Sequence, residues 1–92
     1  MPPKNLTWYV YIVCCSDHTL YTGITTNPVK RIAEHNQSSK GARYTRARRP
    51  VFLVYLEEQP DRSRASLREY AIKHLRRKEK EELIETFRVD II

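Results

Sequence analysis

The sequence predicts an α+β domain in which a small antiparallel or mixed sheet is covered by helices. Three observations support this fold class. Continuous runs of aromatic and β-branched residues are typical of buried strands, other stretches repeat apolar residues at helical spacing, and the patterns follow the order strand–strand–helix–strand–helix–helix. A length of 92 residues indicates one domain with a thin core.

The regular structure begins with a hairpin. Residues 8–15 are the first predicted strand, and residues 20–25 are the returning strand after four turn-forming residues. Tyr11 and Tyr21 share a face of this hairpin only if its loop has an odd number of residues, for example three or five centred on His18. A loop of two or four residues places them on opposite faces, and composition does not choose between these lengths.

One helix and a third strand follow the hairpin. Asn27 as the cap and Pro28 at the first position predict a helix that reaches about Ser38. The residues predicted to share one face of this helix are Val29, Ile32, Ala33 and Asn36. Residues 39–49 show no apolar periodicity and are expected to form a loop, and residues 51–56 form the third strand.

The C-terminal third is predicted to be helical. The apolar residues of its first part fall within one broad arc, formed by Ala65, Leu67, Ala71, Ile72 and Leu75. A cluster of cations at residues 73–80 is diluted by glutamates, which is typical of a solvated helix surface. The sequence does not decide between two helices and one bent helix, because neither glycine nor proline marks a break.

The domain is expected to span residues 7–87, between a disordered segment at residues 1–6 and an apolar tail at residues 88–92. The first residues lack the apolar region and the cleavage site of a signal peptide. The longest apolar run is far shorter than the roughly 18–20 residues that span a bilayer. Cys14 and Cys15 are adjacent, so they cannot form a disulfide bond that links two parts of the fold. We therefore expect a cytoplasmic protein without a membrane partner.

A strong positive charge favours a polyanionic partner. The formal net charge is +6, and the densest cations lie in residues 40–49, which we call the basic segment. Its candidate nucleic-acid-binding residues are Lys40, Arg43, Tyr44, Arg46, Arg48 and Arg49. Guanidinium groups bind phosphate oxygens through paired hydrogen bonds, and a tyrosine ring can stack on a base. The segment therefore predicts contact with nucleic acid, although a solvated surface also accounts for such a charge run.

Few side chains suit catalysis. Glu69 lies about 40° beyond the apolar arc of its helix, where a half-buried carboxylate needs a metal ion or a cation such as Arg68 or Lys73. Arg31 and His35 are four residues apart and project together from the helix face opposite Val29 and Ala33. Exposure to solvent is the simplest interpretation of both side chains.

Taken in order, these residues resemble a known nuclease domain. The residues that match the order and spacing of the GIY-YIG nuclease motifs are Val10-Tyr11-Ile12, Tyr21-Thr22-Gly23, Arg31, His35 and Glu69. Further similarity to the small stand-alone bacterial branch of that superfamily, the UPF0213-like proteins, lies in residues 21–26, 34–36, 41–46, 53–55 and 68–73. The resemblance covers about residues 7–85.

The resemblance implies a three-stranded antiparallel sheet flanked by helices, and metal-dependent hydrolysis of DNA phosphodiester bonds. It places Tyr11 and Tyr21 at the cleavage site, where one of them is the general base or positions water. Arg31 is implied to stabilise the charge that builds on the phosphate, His35 to assist proton transfer, and Glu69 to hold a single Mg²⁺ or Mn²⁺. A tyrosine base needs its pKa of about 10 lowered, which Arg31 and the metal ion are expected to do.

Three functions are compatible with these observations. The first is a structure- or damage-directed DNA endonuclease that acts on branched, nicked or single-stranded DNA in repair or recombination, targeted by the basic segment, a homodimer or a partner protein. The second is a non-catalytic nucleic-acid-binding module, because Tyr9 stands at the first glycine position of the motif, where a bulky side chain is expected to narrow the cleft. The third is a protein-interaction adaptor that uses the apolar tail and the helix at residues 79–87.

Overall fold

A computed structural model of the protein describes residues 6–90. Residues 1–5 of the predicted disordered segment and residues 91–92 of the predicted tail lie outside the described residues. The elements are β1 (Trp8–Cys14), β2 (Leu20–Thr25), α1 (Pro28–Gln37), α2 (Arg43–Arg46), β3 (Phe52–Gln59), α3 (Arg62–Lys73) and α4 (Arg77–Asp90). No helix within residues 6–90 is long and apolar enough to cross a membrane.

The sheet has three antiparallel strands in the order β2-β1-β3, which confirms the predicted fold class. β1 lies in the centre, as expected for an aromatic and β-branched run, and its side chains are buried on both faces. On one face, Val10 and Ile12 pack with Ala65 and Ile72 of α3 and with apolar residues of α4. On the other face, Tyr11 belongs to a second cluster to which α1 contributes.

The apolar side chains of α4 belong to the core. Leu83, Ile84 and Phe87 are packed against the first cluster, and the Phe87 ring lies edge-on to Tyr55 with 6.1 Å between the ring centres. This packing occupies the apolar face that the adaptor hypothesis assigned to a partner. The structure of residues 79–87 therefore does not support that hypothesis.

The hairpin loop has an odd number of residues. Cys14 pairs with Leu20 in the antiparallel register, so residues 15–19 form a five-residue loop centred on Asp17 rather than on His18. Tyr11 pairs with Gly23, two residues beyond Tyr21, and the two tyrosines consequently project from the same face of the sheet. This register settles the alternative that composition left open.

Two predictions about helices needed tertiary information. The loop predicted for residues 39–49 contains the short helix α2, which is too brief to show a period and buries Thr45 alone among its four residues. The C-terminal helical region is two helices, because α3 ends at Lys73 and the backbone N–H of Arg76 is bound by the Glu79 carboxylate at 2.8 Å. A glutamate that reaches back to the residue before the first turn is half of a capping box, and it replaces the missing glycine or proline signal.

The predicted apolar faces of α1 and α3 were partly wrong. Val29 is 82% exposed and Leu67 is 70% exposed, although each falls on the predicted apolar side of its helix. α1 instead packs through polar side chains whose hydrogen bonds are satisfied. His35 is fully buried, and the Asn36 amide donates to the Val51 carbonyl at 3.0 Å and accepts from its N–H at 2.7 Å. Burial of a polar group depends on such distant partners, which a periodicity does not record.

β3 continues three residues beyond its predicted end, because polar residues 57–59 pair with the start of β1. Glu57 is held there by Arg68, with 2.8 Å between Nε and a carboxylate oxygen, and it accepts a hydrogen bond from the Tyr55 hydroxyl. Arg68 is therefore committed to Glu57 and is not the partner of Glu69.

Candidate active site

Tyr11 lies across Gly23 on the neighbouring strand. Its side chain is 1% exposed, and a Cβ on residue 23 would stand 2.6 Å from the Tyr11 Cζ and would also overlap the hydroxyl. Only glycine leaves room for the ring at this point. Gly23 of the Tyr21-Thr22-Gly23 motif thus makes space for the tyrosine ring of the Val10-Tyr11-Ile12 motif.

The Tyr11 hydroxyl begins a buried hydrogen-bond chain. It lies 2.7 Å from His35 Nε2, His35 Nδ1 lies 2.8 Å from Thr45 Oγ1, and Thr45 Oγ1 donates to the Ala42 carbonyl at 2.9 Å. Since the Thr45 proton is committed to Ala42, Thr45 accepts from Nδ1–H and Nε2 accepts from Tyr11. The Ala42 N–H also approaches Nδ1, but at 3.4 Å this contact is too long to reverse the assignment.

The expectation of a solvent-exposed His35 is wrong. The imidazole is fully buried, and burial together with the nearby Arg31 guanidinium lowers the pKa of His35 to about 4. The ring is therefore neutral at neutral pH and serves as the acceptor for Tyr11. Thr45, which orients the ring, was missed by the sequence reasoning because nothing marks one threonine within a basic segment.

Burial dominates the acidity of Tyr11. It raises the pKa of Tyr11 to about 12, and Arg31 lowers that pKa by a smaller amount while Tyr21 and the Glu69 carboxylate raise it. Arg31 alone therefore does not produce the lowering that is expected of Arg31 and the metal ion together. Tyr11 is a protonated donor here. It can act as a base only if it passes its own proton to His35.

Tyr21 connects the hydrogen-bond chain of Tyr11, His35 and Thr45 to the basic segment. Its ring lies edge-on to His35 at 5.5 Å and is stacked on Tyr44 at 5.9 Å with an interplanar angle of 20°. The Arg48 guanidinium covers the other ring of this stack, 3.8 Å from the centre of Tyr44. α2 is in this way seated beside the candidate site by aromatic contacts.

Arg31 is anchored at one nitrogen. Its Nη1 donates to the Glu34 carboxylate at 2.9 Å and to the Lys40 carbonyl at 2.8 Å. The side chain is partly exposed, and the guanidinium lowers the pKa of Tyr11. A fixed, partly exposed guanidinium beside a buried phenol is suited to holding a phosphate.

Glu69 forms an ion pair with Lys73, whose ammonium lies near the ring of Tyr21 on the edge strand β2. Its side chain is 23% exposed, and Lys73 Nζ stands 3.4 Å from its Oε2 and 6.0 Å from the centre of the Tyr21 ring. The ion pair with Lys73, which the sequence left open, is therefore present. Two strands and two helices that are distant in the chain, β1, β2, α1 and α3, contribute Tyr11, Tyr21, Arg31, His35 and Glu69 to this region.

The carboxylate of Glu69 suits a hard divalent cation. Residues 6–90 contain no group of three or more histidine, cysteine or acidic side chains that could form a metal cage. Mg²⁺ needs no such cage, because it keeps several waters and is commonly bound through one or two carboxylates. Glu69 is partly exposed and paired with a single lysine that can move away, so its oxygens fit this mode of binding.

The basic segment divides into exposed and internal cations. Lys40, Arg43 and Arg46 are exposed, whereas Arg48 is bound to Asp17 with 3.1 Å between Nε and the carboxylate. Arg49 points inward and donates to the carbonyls of His35 and Ser38, each at 2.5 Å. The expectation that Arg49 contacts nucleic acid is corrected, since its guanidinium clamps the end of α1.

Gly41 completes this clamp. A Cβ at residue 41 would lie 2.7 Å from the Glu34 carbonyl oxygen and 2.9 Å from the Cα of His35. The chain can pass this close to α1 only without a side chain. The close passage keeps the basic segment adjacent to His35.

Tyr9 lies in an apolar groove beside Tyr11. The groove has a volume of about 440 Å³, and its lining residues are Tyr9, Pro28, Val29, Ile32, Leu53 and Leu56. Leu56 pairs with Tyr11 across β1 and β3, so the groove begins next to the buried phenol. The bulky residue at the first glycine position is accommodated by packing along this groove.

This chain is similar to known proteins in sequence and in fold. The family described as the GIY-YIG catalytic domain matches residues 7–82. A UPF0213 protein of Desulfotalea psychrophila is 72% identical over 74% of this chain, which spans 62% of that relative's length. A UPF0213 protein of Staphylococcus haemolyticus is 56% identical over 84% of this chain and 93% of its own. A solution NMR structure of a protein from E. faecalis, 42% identical, covers 95% of this chain and 90% of its own with a TM-score of 0.60.

Proposed function

This chain belongs to the GIY-YIG catalytic domain family, and from that premise we propose that it is a metal-dependent endonuclease that hydrolyses DNA phosphodiester bonds. The observation that carries the proposal is the hydrogen bond of 2.7 Å between Tyr11 and a neutral, buried His35, together with the charges of Arg31 and Glu69 that act on the pKa of Tyr11. Branched, nicked or single-stranded DNA is the proposed substrate, with a role in repair or recombination.

Each side chain has a defined task in this mechanism. Arg31 binds a non-bridging phosphate oxygen and offsets the charge that develops during attack. Glu69 holds the divalent ion, Mg²⁺ or Mn²⁺, which supplies further offsetting charge when bound. The exposed cations Lys40, Arg43 and Arg46 hold the flanking DNA backbone.

Proton transfer runs from the attacking water through Tyr11 to His35. The phenol oxygen takes the water proton while its own proton passes to Nε2 of His35, as the oxygen of water bonds to phosphorus. The ester bond breaks, and the departing oxygen takes a proton from solvent. Because the pKa of Tyr11 is about 12, a concerted transfer avoids a free tyrosinate. Thr45 keeps Nδ1 protonated and Nε2 available as the acceptor.

A cleavage assay with matched variants tests the proposal. Labelled flaps, forks, nicked duplexes and single strands are incubated with Mn²⁺, Mg²⁺ or EDTA. We expect Glu69→Gln and Arg31→Met each to lower the cleavage rate by about 10²–10³-fold. Arg77→Met and Glu81→Gln are the controls, because these residues form an ion pair of 2.9 Å on α4 outside the site. Cleavage that survives both site substitutions, in protein with an unchanged circular dichroism spectrum, would contradict the proposal.

One observation favours the second function, a non-catalytic nucleic-acid-binding module. Tyr11 is 1% exposed, so its oxygen is covered in the free protein. Such a module binds the same DNAs without divalent ions, with an affinity that falls steeply with salt and weakens on Arg46→Ala. Binding without any metal-dependent cleavage across the substrate panel would favour this function over the first.

A further inference from the structure

Lys73 stands between two groups of the candidate site. The sequence predicted either an ordinary surface cation or a partner of Glu69, and its Nζ lies 3.4 Å from Glu69 Oε2 and 6.0 Å from the centre of the Tyr21 ring. The side chain is 48% exposed, so the ammonium group has open solvent on one side. A single flexible cation is thus placed at the carboxylate proposed to hold the metal ion.

The other cations near the site are held more firmly. Arg31 has a carboxylate and a backbone carbonyl as acceptors, and Arg49 has carbonyls of α1 and of the residue after it. Lys73 has Glu69 as its one ionic partner within residues 6–90, in an i,i+4 pair of the kind that contributes little to stability. Its four-carbon stem allows the ammonium to leave that carboxylate.

We infer that Lys73 occupies two alternative positions in this site. This inference rests on the proposed function. In the metal-free protein it is the counter-ion of Glu69. When a divalent cation takes the carboxylate, the ammonium is displaced and binds a phosphate of the DNA next to the scissile bond.

Two consequences of opposite sign follow. Lys73 competes with the metal ion for Glu69, so its removal strengthens metal binding. Lys73 also supplies a phosphate contact only after the metal is bound, so its removal weakens DNA binding in the presence of the metal. Metal and DNA then favour each other's binding, since DNA gives the displaced ammonium a new partner.

The metal arm of the test is a Mn²⁺ titration followed by electron paramagnetic resonance of the free ion. We expect Lys73→Met to bind Mn²⁺ about 2- to 5-fold more tightly than the wild type, from loss of a weak ion pair and a nearby like charge. Lys73→Arg keeps the charge and is expected within about 2-fold of the wild type. Glu69→Gln loses the site, and Arg77→Met, from the matched i,i+4 pair with Glu81, leaves it unchanged.

The DNA arm uses fluorescence anisotropy of a labelled flap oligonucleotide at several salt concentrations. Ca²⁺ replaces Mn²⁺ as the divalent ion, because it has the same preference for carboxylate oxygens. With Ca²⁺, the slope of log affinity against log salt is expected to fall by about 1 in Lys73→Met. With EDTA the slope of the variant equals that of the wild type, since Lys73 then remains on Glu69.

The two arms distinguish the inference from the proposed function. If the wild type cleaves DNA and binds Mn²⁺ through Glu69, but Lys73→Met changes neither Mn²⁺ affinity nor the Ca²⁺-dependent slope, the pair is only structural and the inference is wrong. If the wild type neither cleaves DNA nor binds Mn²⁺ through Glu69, the proposed function fails and the inference falls with it. Lys73→Gln repeats both measurements should the methionine variant prove insoluble.

Discussion

The two faces of the sheet are built from the same central strand but by different physical means. Val10 and Ile12 of β1 point into an apolar cluster formed with α3 and α4. Tyr11, which lies between them in sequence, points to the other face and into a buried chain with His35 and Thr45. The first face contributes burial of apolar area, and the second combines an apolar cluster with polar groups that are held in fixed positions at the cost of desolvation.

Glu69 joins the two faces. It belongs to α3, whose apolar side covers the first face, and yet its ion-pair partner Lys73 lies 6.0 Å from the ring centre of Tyr21 on the edge strand β2. The apolar packing of α3 therefore positions a group of the candidate site without touching it. Predictions that perturb each face separately can sharpen this division.

The largest expected effect is on the apolar face. Ile72→Ala removes a fully buried side chain and is expected to lower the free energy of unfolding by about 2–5 kcal/mol, through lost burial and a residual cavity. Leu67→Ala on the same helix, where the side chain is 70% exposed, should cost under about 0.5 kcal/mol. Urea denaturation measures both, and equal losses would show that α3 does not pack as described.

The polar face should respond to pH. The pKa of His35 is about 4 in the folded protein and about 6.5 when unfolded, so the unfolded state binds more protons between these values. Stability is therefore lost as the pH falls from about 6.5 to about 4, by about 3 kcal/mol in total. His35→Gln removes this pH dependence of stability. The contributions of the carboxylates to the pH dependence remain in both proteins. Urea unfolding across that pH range measures it, and identical profiles for the two proteins would contradict the buried neutral histidine.

The smallest expected effect separates positioning from stability. Thr45→Val keeps the volume but removes the acceptor for His35 Nδ1, and should cost about 1–3 kcal/mol of stability and about 10-fold in cleavage rate. Thr86→Val is its control, because Thr86 donates to the Leu83 carbonyl at 2.6 Å in the same i,i−3 pattern, on an exposed part of α4. Thermal melts and single-turnover cleavage give the two quantities. Equal cleavage rates for both variants would show that Thr45 does not orient the imidazole.

Part of the candidate site was accessible from the sequence. The strand pattern and the odd-loop condition allowed Tyr11 and Tyr21 to share a face, and the motif order identified Arg31, His35 and Glu69. Thr45 was not accessible, because it lay in a segment without periodicity. Lys73 was one of the candidate partners of Glu69, and the structure chose it because Arg68 is bound to Glu57.

The sequence by itself determined where apolar side chains recur, and hence the strands, the first helix and the α+β class, because burial of apolar area acts residue by residue along each element. The tertiary structure alone decided which polar groups are buried and which charges meet. His35 is buried by partners 24 residues before it and 10 residues after it, and Arg49 is turned inward by carbonyls of α1. Such contacts depend on three-dimensional proximity, since a polar group is stable inside a protein only when the fold delivers its hydrogen-bond partner.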